Sequence, residues 1–172
     1  MTLKTVLALM VIHAAVLVSC SKKEKSFENP QDLPNLGNNN SEYGWAYTGN
    51  STNFSGCIDT AYKETNQAAT VLAIEGTDSA SNAFLIALGS PTGNIATGTY
   101  SEIQGAGMII TDKDGKTFYS KTISINITSI SSNEVSAEFS GSFTDDPAAN
   151  NTVFSITGGK LKAVIGGETP CF

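Results

Sequence analysis

The fold class this sequence predicts is all-β, an antiparallel β-sandwich of immunoglobulin-like or jelly-roll-like type. Three observations predict it. Short stretches alternate apolar and polar residues, Gly and Asn punctuate them roughly every 8 to 12 residues, and no long stretch carries a helical period. The clearest stretch is KTISINITSI, in which Ile123, Ile125 and Ile127 share one face and Thr122, Ser124, Asn126 and Thr128 the other. After a turn at Ser131-Ser132-Asn133, EVSAEFSGSF repeats the arrangement. Val135, Ala137, Phe139 and Phe143 point one way, and Glu134, Ser136, Glu138 and Ser140 the other. The two form a hairpin whose register the apolar faces specify.

The remaining strands are read at 44–49 (GWAYTG), 55–60 (SGCIDT), 70–76 (TVLAIEG), 83–89 (AFLIALG), 107–112 (GMIITD), 117–120 (TFYS), 152–157 (TVFSIT) and 160–165 (KLKAVI). DKDGK, between 107–112 and 117–120, is a hairpin turn in which Gly115 accepts positive φ. AYKETNQAAT (61–70) fits a short helix or a polar loop equally. Together 42–172 reads as one domain, near the usual single-domain size.

Ahead of it, 1–19 reads as an export signal, with Lys4 and an apolar run of 14 residues from Thr5 to Val18. That run falls short of the ~20 apolar residues a spanning helix needs. Leu17-Val18-Ser19-Cys20 resembles the bacterial lipobox. The resemblance implies cleavage before Cys20, a lipidated Cys20 thiol and attachment to membrane lipid through its acyl chains, of which two or more anchor stably. Residues 20–41 (CSKKEKSFENPQDLPNLGNNNS to Ser41) are rich in Lys, Glu, Asn, Pro and Gly. Such a composition buries too little apolar surface to offset ordering entropy and reads as a tether. Random-coil scaling makes it roughly 25 Å long.

Loss of the signal leaves nine lysines against sixteen acidic residues, with no arginine, and removes the single histidine, His13. Nucleic-acid binding needs a basic patch and is disfavoured. Ser-His-Asp and Cys-His nucleophiles and His-ligated metals are excluded. Carboxylates alone could do acid–base work, but no spacing places such a pair, so the expectation is no enzyme, no metal and no cofactor. With Cys20 lipidated, Cys57 and Cys171 are left as an even pair in an oxidising compartment, and a disulfide between them is expected.

The order LAIEG (72–76), GTYS (98–101), ISINITSI, VSAEFSGSF and ITGGKLKAVI (156–165) resembles an uncharacterised β-sandwich domain of Bacteroidota lipoproteins. The resemblance implies an architecture and an outer-membrane location, with no activity or catalytic residue to carry over. Surface-export signals of that lineage tend to be acidic after the cysteine, and the basic SKKEK favours the periplasmic face. Asp59-Thr60-Ala61 and Asp78-Ser79-Ala80 match the lineage's short O-glycosylation sequon, making Thr60 and Ser79 candidate acceptors.

Two further motifs carry alternatives. Tyr43, Trp45 and Tyr47 fall on one face of a strand, where they either stack on sugar rings or pack into the core. Asp112, Asp114 and Gly115 open like a calcium loop, but the twelfth position from Asp112 is Ile123 instead of Glu, so a turn suffices. The expectation is thus a lipid-anchored binding or structural module with an envelope protein or glycan as partner. The alternative is a glycan-binding accessory lipoprotein of a polysaccharide-uptake system.

Overall fold

A computed structural model describes residues 43–66, 69–91, 93–149 and 151–167. Among these residues nine strands follow one another: β1 Gly44–Gly49, β2 Thr52–Thr65, β3 Thr70–Thr77, β4 Ala83–Ser90, β5 Gly98–Ser101, β6 Ala106–Thr111, β7 Thr117–Ile130, β8 Glu134–Thr144 and β9 Phe154–Val164. A single turn of 3-10 helix, Glu102–Gln104, separates β5 from β6. Every pairing is antiparallel.

The strands do not form the expected sandwich. Around the sheet the order is β7-β6-β4-β3-β2-β1-β9-β8, and β8 pairs again with β7, so eight strands close into one barrel. β5 lies outside that ring, sharing with β6 one edge of β7: β6 pairs with Thr117–Tyr119 and β5 with Ser124–Ile127. A sandwich and a small barrel need the same alternation of inward apolar and outward polar residues. What separates them is whether the first and last strands meet, and here β1 bridges β2 and β9 while β9 pairs with β8. The sandwich implied by the resemblance to Bacteroidota lipoprotein domains is corrected with it.

Alternation assigns the two faces. Ile123, Ile125 and Ile127 of β7 and Val135, Ala137, Phe139 and Phe143 of β8 are all buried inside. Polar Ser124, Asn126, Glu138 and Ser140 face outward. This apolar-in, polar-out pattern is the inverse of a lipid-facing barrel. Phe84 of β4 and Phe139 of β8 stack at 6.5 Å from opposite walls, and Trp45 meets Phe84 edge-on at 5.0 Å. Glycines on neighbouring strands make room for these rings. A Cβ on Gly76 would lie 2.7 Å from both Trp45 Nε1 and Phe84 Cε1, and one on Gly159 2.5 Å from the Phe139 ring. At eight strands a barrel is just wide enough to be filled this way.

Three strands are longer than expected because each carries a bulge. Register shifts occur between Ile58 and Thr60 in β2, between Ser120 and Thr122 and again between Ile127 and Ser129 in β7, and opposite Phe139–Gly141 in β9. One extra residue reverses which parity points inward and bends the strand around the barrel. Residues 117–120 and 121–130 are therefore one strand, as are the β9 portions of 152–157 and 160–165. Among the described residues of 61–70 there is no helix: Ala61–Thr65 complete β2 and Thr70 opens β3.

Candidate functional site

The barrel has two ends. One carries the turns β1–β2, β3–β4 and β6–β7 and the β8–β9 connection; the other carries the β2–β3, β4–β5 and β7–β8 connections. The second end is stoppered by the β4–β5 connection, whose Ile95 is 2% exposed and belongs to the core. Two clamps hold it. The Tyr100 hydroxyl donates to Ala96 O and accepts from Ala96 N–H, both at 2.9 Å. The Thr70 hydroxyl donates to Gly93 O at 2.7 Å.

Outside this stopper lies an open cleft of about 390 Å³, lined by Lys63, Asn94, Ile95, Ala96, Thr97, Ile130, Ser131 and Ser132. Its volume falls in the range of small-molecule sites. The β2 bulge sets its charge. Ala61 points into the core, so Lys63, two residues on and opposite Leu72, lies on the same inner face at the rim. Among the described residues Lys63 makes no ion pair. Ile130, opposite buried Val135, ends the inner row of β7 and supplies an apolar wall. The Ser131 hydroxyl is spent on its own turn, accepting from the N–H groups of Asn133 at 3.4 Å and Glu134 at 3.1 Å. Asn94, Thr97 and Ser132 are exposed and free to bind something else. Among the described residues no acidic side chain lines the cleft.

The residues singled out from the sequence go elsewhere. Trp45 and Tyr47 are 0% and 1% exposed, with Trp45 Nε1 donating to Cys57 O at 2.9 Å and the rings stacked at 5.4 Å. They fill the barrel and offer no face to a sugar. Burial holds the Tyr47 phenol far above its ordinary pKa. Tyr43 is half-buried, its hydroxyl donating to Glu134 Oε1 and its ring lying 4.8 Å below Lys162 Nζ. That hydrogen bond raises the Tyr43 pKa. The strip is thus split between core and a satisfied surface cluster.

Thr60 is half-buried in the β2 bulge, opposite Glu75, and Ser79 is exposed in the β3–β4 turn. In that turn the Asp78 carboxylate accepts from the Asn82 backbone and side-chain N–H groups, at 2.8 and 2.7 Å. Asp112 closes the β6–β7 turn, its Oδ1 accepting from the N–H groups of Asp114 at 3.0 Å and Lys116 at 2.8 Å. Among the described residues no cluster of three or more His, Cys, Asp or Glu could hold a metal ion. Cys57 is disulfide-bonded. Cys20 and Cys171 lie outside the described residues, as do segments 1–19 and 20–41.

Nothing in the sequence marked the cleft. Lys63 lies in the stretch read as helix or loop, and Asn94, Thr97, Ser131 and Ser132 are ordinary turn residues until the barrel closes. Comparison with protein-family models, with curated proteins and with solved structures finds no match to this chain.

Proposed function

We propose that this chain is a lipid-anchored, non-enzymatic binding module of the outer membrane, held on the periplasmic face through acylated Cys20, with the barrel-end cleft as its ligand site. The cleft is the observation that carries the binding reading: a preformed concavity with an apolar wall, one cation and uncommitted hydrogen-bonding groups. The non-enzymatic reading rests on the sequence, whose one histidine, His13, falls in the segment read as the signal. The anchor rests on the lipobox-like Leu17–Cys20. A glycan-binding accessory role loses the support of Tyr43, Trp45 and Tyr47 and would have to act through the cleft instead.

Two measurements test this. Cells fed labelled palmitate should yield a labelled protein in the outer-membrane fraction, and Cys20→Ala should abolish label and membrane retention together. A parent protein that stays unlabelled and soluble would refute the anchor. Small-molecule fractions of the envelope should shift backbone amide resonances of Asn94–Thr97 and Ser131–Ser132 before any others.

A further inference from the structure

The chemistry of the cleft narrows its ligand further, granted that the cleft is a binding site. We infer that it takes the carboxylate-bearing ring of an acidic sugar, a hexuronate, with Lys63 on the carboxylate.

Four observations converge. Among the described residues the single charge in the lining is an ammonium without an ion-pair partner, and no carboxylate of those residues lines the cleft to compete for it. An anion is therefore favoured over a cation, and a zwitterionic amino acid would leave its own ammonium unmatched. Asn94, Thr97 and Ser132 add an amide and two hydroxyls, groups that both donate and accept and so suit ring hydroxyls better than a lone phosphate. Ala96 and Ile130 supply an apolar surface against which the C–H face of a sugar ring can lie, with buried Ile95 behind them. Finally, the ligand must be short. Ile95 stoppers the barrel, and beyond it the rings of Trp45, Phe84 and Phe139 fill the interior, so an acyl chain ending in a carboxylate has nowhere to go. What remains is a compact, polyhydroxylated carboxylate, free or at the end of an oligosaccharide.

The test uses the full mature chain in detergent, titrated with D-galacturonate, D-galactose and acetate, and read by amide resonances of the cleft. Galacturonate should shift Asn94–Thr97 and Ser131–Ser132 saturably, with galactose and acetate each about tenfold weaker or worse, because each lacks one half of the recognition. Added salt should weaken galacturonate and leave galactose unchanged. Lys63→Gln should cost galacturonate about tenfold without moving the melting temperature, and Lys63→Arg should restore most of it.

Galactose binding as tightly as galacturonate, or Lys63→Gln leaving galacturonate affinity unaltered, would overturn the acidic-sugar assignment while the cleft remained a binding site. Acetate binding as tightly as galacturonate would reduce the ligand to any small carboxylate and overturn it too. If none of the three probes shifts a cleft amide, the assignment falls, and the envelope-fraction titration decides separately whether the cleft binds anything.

Discussion

Glu75 shows at the residue scale how the outer wall tunes charge. It sits on β3 opposite Thr60 and Leu85, and burial among these, with Asp59 nearby as the lesser cause, raises its pKa above the ordinary 4.5. A carboxyl whose folded pKa is raised favours the native state when both states are protonated. That advantage disappears as pH climbs from the unfolded value through the folded one. Glu75→Gln should therefore melt higher than the parent at about pH 7, with the difference closing below about pH 4. Equal melting temperatures at about pH 7 would mean that the carboxylate is fully solvated. Single residues also explain why the aromatic strip was readable only halfway. Tyr43, Trp45 and Tyr47 share one face from sequence, yet only the Gly76 and Gly56 gaps beside Trp45 show that this face is the barrel interior.

At the scale of elements, the β4–β5 connection acts as a stopper and its energetics should be measurable. Ile95 is buried at 2% exposure, within the range of the strand residues of the core, so Ile95→Ala should cost about 2–5 kcal/mol in urea unfolding. Tyr100→Phe, which keeps the ring and removes both bonds to Ala96, should cost about 1 kcal/mol. A loss below about 0.5 kcal/mol for Ile95→Ala would mean that the connection is loosely seated. The 3-10 turn 102–104 has a comparable duty in the wall. Between the β7 residues paired with β6 and those paired with β5, Glu102 Oε2 accepts the Ile123 N–H at 3.2 Å, doing for that donor what a neighbouring strand does elsewhere. No local motif announces it, because Glu102 acquires its partner only when Ile123 of β7 arrives from 21 residues further on.

For the whole molecule, closure leaves the eight ring strands with partners on both sides over most of their length, which removes the exposed edges that invite strand addition. The cysteines give a second global constraint. Cys57 is disulfide-bonded and the chain has two other cysteines, so its partner is Cys171 or Cys20. Peptide mapping without reduction should join the Cys57 peptide to that of Cys171. The loop so closed spans 114 residues, for which the chain-entropy model gives about 4–5 kcal/mol lost on reduction. Mapping to Cys20 instead would remove the thiol that the lipid anchor needs and defeat the proposed attachment along with the pairing.

The sequence by itself determined that this is an all-β chain, which residues of the β7–β8 hairpin point inward, and where most turns fall. Each of these depends on neighbours a few positions away, through side-chain alternation and the φ freedom of residues such as Gly115. Tertiary structure alone decided that the strands close into a barrel, because the β1–β9 pairing joins residues more than a hundred positions apart and leaves no local trace. It also decided the strand lengths around bulges, where one extra residue in β2 and in β9 and two in β7 reverse the alternation and make one strand read as two or as none. The cleft belongs to the same class. Lys63 reaches the rim through the β2 bulge, Ile95 through the stopper and Ile130 through the far wall, and barrel closure brings the three together.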